Sequence, residues 1–239
     1  YTQKFGKQQG KYYVPQRAAA GLDPWATPQA YDNAKDFFDT GITWSNSLNV
    51  AQMLDKSSYS ISLGNTHQDG IISSTGMDRY NVKVSADTKL TNNWSSGFTA
   101  NYITTSIDKA VTSGNGLLRT VYAAPPSYDL AGIPSHVDGN PYTQNSFRGS
   151  FDNAYWAMEN NKFTEDTNRF FGNVYASYQT DFGTTNHKLN AKYMVGVDAY
   201  TTHYVDSYGY GSNTGGGRGQ IENYGWTNAT YNSLLTINY

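Results

Sequence analysis

The chain has 239 residues, 17 of them basic and 19 acidic, for a formal net charge of -2, and it lacks cysteine. With no basic run and no thiol, the sequence argues against a nucleic-acid partner and excludes disulfide scaffolds and thiolate metal sites. Only 15% of residues are charged, against roughly 25% in soluble domains, yet the mean hydropathy is -0.64. The polarity comes from Ser, Thr, Asn, Gln, Gly and 21 Tyr. Such a composition suits a wall with lipid on one side and water on the other. It also suits a soluble, glycan-binding β-protein. No apolar run reaches the roughly 18 residues of a membrane helix. No signal peptide is present and Tyr1 is not a start, so a mature chain or a fragment is expected.

Residues 1–36 show no periodicity and are predicted to form an irregular loop, with Pro15, Gly21, Pro24 and Pro28 along it. A weak strand follows at 42–50. Residues 58–64 alternate clearly, with Tyr59, Ile61 and Leu63 against Ser58, Ser60 and Ser62. Residues 78–90 put Tyr80, Val82, Val84, Ala86 and Leu90 on one face, and Arg79, Asn81, Lys83, Ser85, Asp87 and Lys89 on the other. A period of two over that length is a half-buried strand. The pattern repeats at 94–104, where Trp94, Phe98, Ala100 and Tyr102 oppose Ser95, Thr99 and Asn101. It returns weakly at 169–180, strongly at 187–199 (Leu189 to Ala199 against Lys188 to Asp198), and at 221–239, where Tyr231, Leu235, Ile237 and Tyr239 oppose Asn228, Thr230, Asn232 and Asn238. The only helix expected is a short one near 153–159.

The predicted connections alternate in length. Asp55-Lys56 is short, 65–77 longer, Asn92-Asn93 tight, 106–167 very long, Gly183 to Asn186 short, and 206–220 long and glycine-rich. Outer-membrane barrels have this asymmetry between tight periplasmic turns and long external loops, whereas a soluble sandwich has no reason for it. The segment 106–167 exceeds an ordinary loop. Its prolines (125, 126, 134, 141) and interspersed aromatics predict a packed, partly ordered external loop. The expected fold is thus all-β: an antiparallel transmembrane β-barrel portion of about seven strands, residues 1–239 forming one partial barrel domain. Seven strands leave two open edges that lipid cannot satisfy, so further strands are expected.

Three stretches then carry a family resemblance: Asn33 to Gly41 followed by the strand from Ile42; Tyr59 to Ile72; and Tyr155 to Tyr175. In order and spacing they resemble the SusC/RagA family of TonB-dependent outer-membrane transporters, from about residue 31 onward. The resemblance implies the N-terminal part of a 22-stranded barrel in a bacterial outer membrane, with the family's N-terminal plug domain not present here. It also implies a SusD-type lipoprotein lid over the external loops, oligosaccharide or peptide cargo, and energy delivered by TonB through the plug.

Other motifs are weak. The histidines at 67, 136, 187 and 203 form no close ligand pair. Gly215 to Gly219 lacks the Gly-Lys-Ser/Thr of a phosphate loop, and a flexible external loop is expected there. Asp129, Asp138 and Asn140 are oxygen ligands that do not fit an EF-hand, so solvated turns are expected and calcium is the lesser reading. Glu159, Glu165 and Asp166 are glycosidase candidates by residue type alone, and no GxSxG elbow exists. Asn93-Trp94-Ser95 and Asn228-Ala229-Thr230 match glycosylation sequons that a bacterial protein leaves bare. Tyr59, Trp94, Tyr102 and Tyr193 fall on apolar strand faces, as an interfacial girdle would. Tyr122, Tyr128, Tyr142 and Trp156 are the candidate contacts for sugar rings or for a lid, with simple packing within the loop an equal alternative. No catalytic residue, metal site or cofactor is assigned. The reading is a non-enzymatic importer component. The alternative is a soluble aromatic-rich glycan-binding β-protein, whose strand faces would close on a core burying Trp94 and Tyr193. A glycoside hydrolase rests on the available carboxylates alone.

Overall fold

The structure, a computed structural model, describes residues 10–111, 116–183 and 187–239. The elements in chain order are β1 (Tyr12–Tyr13), α1 (Pro15–Ala19), β2 (Trp25–Ala26), α2 (Asn33–Phe37), β3 (Thr43–Met53), β4 (Ser57–Asp69), β5 (Gly76–Lys89), β6 (Trp94–Lys109), α3 (Leu117–Ala123), β7 (His136–Val137), β8 (Asn140–Gln144), α4 (Ala154–Asn160), β9 (Lys162–Phe182), β10 (His187–Tyr208) and β11 (Gln220–Asn238), with a short 3₁₀ turn at Thr214–Gly217. The chain is mostly antiparallel β-sheet. One seven-stranded sheet runs β11-β10-β9-β6-β5-β4-β3, each neighbour antiparallel. These are the seven predicted strands, in an up-and-down order interrupted only by the excursion between β6 and β9. The strands β3 and β11 lie at the edges, and among the described residues they do not pair with each other.

The register of the large sheet runs residue for residue, so side-chain parity is preserved across all seven strands. One row holds Leu48, Leu63, Val82, Tyr102, Phe170, Ala199 and Ala229. The next row on that face holds Val50, Ile61, Val84, Ala100, Gly172, Val197 and Tyr231. Trp94, Tyr178, Ala191 and Ile237 lie three rows further toward the short turns. In the other direction the same face changes character. It passes through Asn46, Asn65, Tyr80, Thr104 and Asn168 to Trp44, His67, Asp78, Ser106 and Asp166. The apolar face is therefore a band, bounded by polar residues before the strands end. The opposite face is polar at the level of the band, as in the row Asn49, Ser62, Lys83, Asn101, Phe171, Asp198 and Thr230.

The band is not buried. Trp94 is 47% exposed and Tyr193 50%. Among the described residues, every buried hydrophobic side chain except Phe163 lies outside the seven strands. The closed strand-face core expected of the soluble alternative is absent from the described residues. The buried core instead occupies a cap at the long-loop end of the sheet. Tyr12, Val14 and Phe37 from the N-terminal segment pack there with Leu117, Val121, Leu130, Phe147 and Trp156.

The stretch 1–36, predicted to be irregular, supplies one side of this cap; its first nine residues lie outside the described set. Asp32 caps α2 by accepting from Lys35 N (3.2 Å), and Asn33 bridges to the long segment, donating to Pro125 O (3.3 Å) and accepting from Leu130 N (3.0 Å). A side-chain amide matched to two backbone groups replaces a regular ladder there, which is why no periodicity announces it. The predicted short helix is α4; α1, α2 and α3 carry too few turns to show a period.

The connections keep the short–long alternation, but the strands are longer than predicted. The second link is 70–75 rather than 65–77, the long segment is 110–161 rather than 106–167, and the glycine-rich loop is 209–219 rather than 206–220. Beyond the apolar band one face turns polar and the other mixes carboxylates with aromatics such as Tyr204 and Trp226, so alternation ends while pairing continues. Of the turn at 183–186, residues 184–186 lie outside the described set.

On the polar face Tyr175 lies directly opposite Gly97 and donates to Asp87 Oδ1 (2.6 Å). A Cβ at position 97 would stand 2.3 Å from Asp87 Oδ1, 2.7 Å from Tyr175 Cε1 and 2.8 Å from the backbone oxygen of Ala86. Glycine leaves the slot in which this ring lies. Gly97→Ala is expected to destabilise the protein by about 1–3 kcal/mol through overpacking, measured as a lower thermal midpoint. Tyr175→Leu in the same background should recover part of the loss.

Candidate functional site

The four aromatics singled out in the long segment divide into two pairs. Trp156 is fully buried, and its indole Nε1 donates to Pro141 O (2.8 Å). Tyr128 is buried against Phe147, ring centroids 5.4 Å apart. Both are framework of the cap and present no ring face to solvent, which is the loop-packing alternative and corrects their reading as surface contacts. The physical reason is that a segment of this length needs its own core, and its largest apolar rings supply it. Tyr122 and Tyr142 are exposed. Tyr122 leans on Phe38 (6.1 Å), and Tyr142 meets Tyr210 edge to face (5.7 Å). The structure thus brings Tyr142 together with a ring from the glycine-rich loop, and leaves Tyr122 on a different patch.

The helix carrying Trp156 starts at Asn153, whose Oδ1 accepts from Tyr155 N (2.9 Å) and Trp156 N (3.3 Å), and whose amide donates to Asn145 O (2.8 Å). An N-cap that also bonds backward fixes the helix to the preceding loop. Tyr155, partly buried beneath α2, donates to Asp36 O (3.2 Å). Burial, reinforced by the nearby carboxylates of Asp36, Asp129 and Asp39, pushes its phenol above the usual value.

The residue that ties the site together is Asp152, which the sequence reading did not single out. It is buried. Its carboxylate accepts from Gln144 Nε2 (2.7 Å), Ser212 Oγ (2.6 Å), Asn213 N (2.7 Å) and Asn213 Nδ2 (2.9 Å). Ser212 and Asn213 belong to the loop between β10 and β11. A buried carboxylate with four donors is satisfied without a counter-cation. The glycine-rich stretch expected to be flexible therefore follows a defined path, through the 3₁₀ turn, onto the cap. A lone Asp in a polar loop carries no spacing signal, so only the fold could reveal it.

The remaining candidates resolve into local roles. Asp129 Oδ1 accepts from Gly132 N (2.7 Å), and Asn140 Oδ1 accepts from Tyr142 N (3.0 Å). Asp138 and Gly139, with φ of 50° and 69°, form the two-residue turn between β7 and β8. Asp-Gly is the preferred pair for such a hairpin, a signal the sequence carried. Among the described residues no three His, Asp or Glu side chains gather as metal ligands. Glu165 and Asp166 are successive strand residues on opposite faces. Glu165 pairs with Lys109 (3.2 Å), and Asp166 accepts from Ser106 Oγ (2.6 Å). Glu159 lies 3.6 Å from His136 Nε2, and Ser135 Oγ is 2.9 Å from His136 Nδ1. That hydroxyl and imidazole are sequence neighbours beside the hairpin, and Glu159 is exposed.

The cap does not sit evenly on the sheet. The sheet residues Phe163 and Tyr208, which line a small cavity with Leu117, Asp152 and Ala157 of the cap, have the parity of the polar face, and their rings meet edge to face at 5.0 Å. What the arrangement provides is a loop body folded over the polar wall, with exposed aromatics on its outer side. No protein-family model and no curated protein sequence matches the chain.

Asp152→Ala is expected to weaken the attachment of the 209–219 loop by about 2–4 kcal/mol, since four donors lose their acceptor. Trypsin should then cut after the exposed Arg218 roughly a hundredfold faster than in the parent, with Asp152→Asn intermediate.

Proposed function

We propose that this chain is a wall segment of an outer-membrane barrel, and that the barrel is a SusC/RagA-like, TonB-dependent importer. The observation that carries the reading is the exposed apolar band on a sheet with no core of its own. In water, so large an apolar face is a liability. Against lipid it is what the solvent requires. From the Trp94 row to the row of Tyr80 and Thr104 is ten residues, about 33 Å along a strand. At a barrel tilt of 35–45° that becomes a height of about 25 Å, the height of a barrel's apolar band. Aromatics stand near both margins: Trp94, Tyr178 and Tyr193 on the short-turn side, Tyr80 and Tyr102 on the other. This is the girdle arrangement of barrel proteins.

The other features follow from that orientation. The polar face lines an aqueous lumen, the short turns face the periplasm, and the cap is external and folds inward over the lumen. The open edges of β3 and β11 pair with further strands of the same barrel, since unpaired backbone in lipid costs several kcal/mol per group. The importer assignment rests on the three family-like stretches. With it come a SusD-type lid above the cap, oligosaccharide or peptide cargo, and TonB acting through a plug domain.

Val174→Arg, at the centre of the band, should cost about 2–4 kcal/mol in the membrane and sharply reduce folded, heat-modifiable protein in the outer-membrane fraction. Asn173→Arg, one residue away on the polar face, should leave that amount near the parent level. Equal tolerance at the two positions would count against the orientation.

A further inference from the structure

The polar face carries a group of aromatics that neither the lipid band nor the cap accounts for. Tyr204, Tyr224 and Trp226 share the parity of Asp198, Asn228 and Thr230, so they project on the lumen side of the proposed wall. The rings of Tyr204 and Tyr224 stack at 5.0 Å with an interplanar angle of 10°. Tyr204 and Trp226 follow at 5.2 Å and 38°. Tyr204 is thus covered by its neighbours, and the open ring surface of the group belongs to Tyr224 and Trp226. Trp226 is 51% exposed and Tyr224 44%. The rings are also held in place. Lys109 Nζ sits 4.4 Å from the centroid of Tyr204 while bonded to Glu165, and the Tyr224 hydroxyl bonds Asp206 (3.2 Å).

We propose that this open ring surface is a stacking site for the sugar rings of a neutral oligosaccharide. The C–H face of a pyranose carries slight positive charge and lies flat on the negative face of an aromatic ring. Its equatorial hydroxyls project sideways, where they need hydrogen-bond partners. The surface has them on two sides. Asp206 pairs with Glu222 one inward-facing step above Tyr204 and Tyr224, and Tyr200 pairs with Asn228 one inward-facing step below Thr202 and Trp226. Lys109 occupies one face of Tyr204 and is paired with Glu165, so the sugar stacks on the open faces of Tyr224 and Trp226, and a cationic peptide drawn by Asp206 and Glu222 is the competing ligand. The proposal rests on reading this face as the lumen wall, and it narrows the cargo of that reading to sugars at this point of the path.

The test uses the full-length protein in detergent, with maltohexaose, cellohexaose and a lysine-rich hexapeptide as probes. Iodide quenching is taken as the difference between the parent and Trp226→Phe, which isolates the signal of Trp226. Iodide should reach Trp226 in the free protein, and at least one hexasaccharide should shield it. Trp226→Ala should weaken binding of that sugar roughly tenfold, while Trp226→Phe keeps most of the affinity because a ring remains. Both variants should show the parent's heat-modifiable band, which separates lost binding from lost folding. If Trp226 is reached by iodide but neither sugar shields it, or only the peptide does, the sugar proposal is overturned while the wall orientation stands. If Trp226 is closed to iodide and quenched by brominated lipid, the orientation itself is wrong.

Discussion

Everything in this molecule depends on the unbroken register of its seven-stranded sheet. With a side-chain period of two, one bulge or one slipped residue would exchange the faces of every strand beyond it. No such shift occurs between β3 and β11 in the described residues. The apolar rows therefore line up across the whole width, and the polar rows line up behind them. Backbone pairing satisfies each interior strand internally, which is the condition for a sheet to face hydrocarbon. Ion pairs contribute little by comparison. Arg169 and Asp198, paired across β9 and β10, are both substantially exposed, and solvent screens such a pair.

The buried core has moved to the end of the sheet. Trp156, Leu130 and Val121 give the cap the centre that the strands lack, and Asn33 and Asn145 fasten the N-terminal segment to it through backbone carbonyls. Asp152 then couples the cap to the loop between β10 and β11. Loop and N-terminal segment pack together, with Phe163 and Tyr208 of the sheet's polar face lining a cavity beside them.

How much of this was legible in the sequence varied with the physics of each part. The strands were legible wherever one face is apolar and the other polar, as at Tyr80 to Lys89 and Leu189 to Ala199. They became illegible above the band, where His67 and Gln68 or Glu165 and Asp166 are polar on both sides although pairing continues. The turn asymmetry was visible because Asp55-Lys56 and Asn92-Asn93 are local signals. The cap was only partly visible. Its aromatics suggested packing, yet nothing in the sequence separates Trp156, buried at its centre, from Tyr142, exposed at its edge. Asp152 and Asn33 act through partners 60 to 97 residues away, and such pairings have no period to detect. Trp226 and Tyr224 were hidden for another reason: they interrupt the polar parity of β11, where alternation was already weak.

The central claim is that one face of the sheet meets lipid over a limited height. A nitroxide scan through β9 tests it most directly, since the parent chain has no cysteine of its own. Labels from position 163 to 178 would be read for contact with oxygen, which concentrates in lipid, and with a water-soluble nickel chelate. The account predicts a period of two between 169 and 178, with oxygen favoured at the even positions from 170 to 178 and the chelate favoured at the odd ones. It also predicts that the even positions 164 and 166 turn to the chelate. Even positions sheltered from both reagents throughout, as in a closed core, would contradict it.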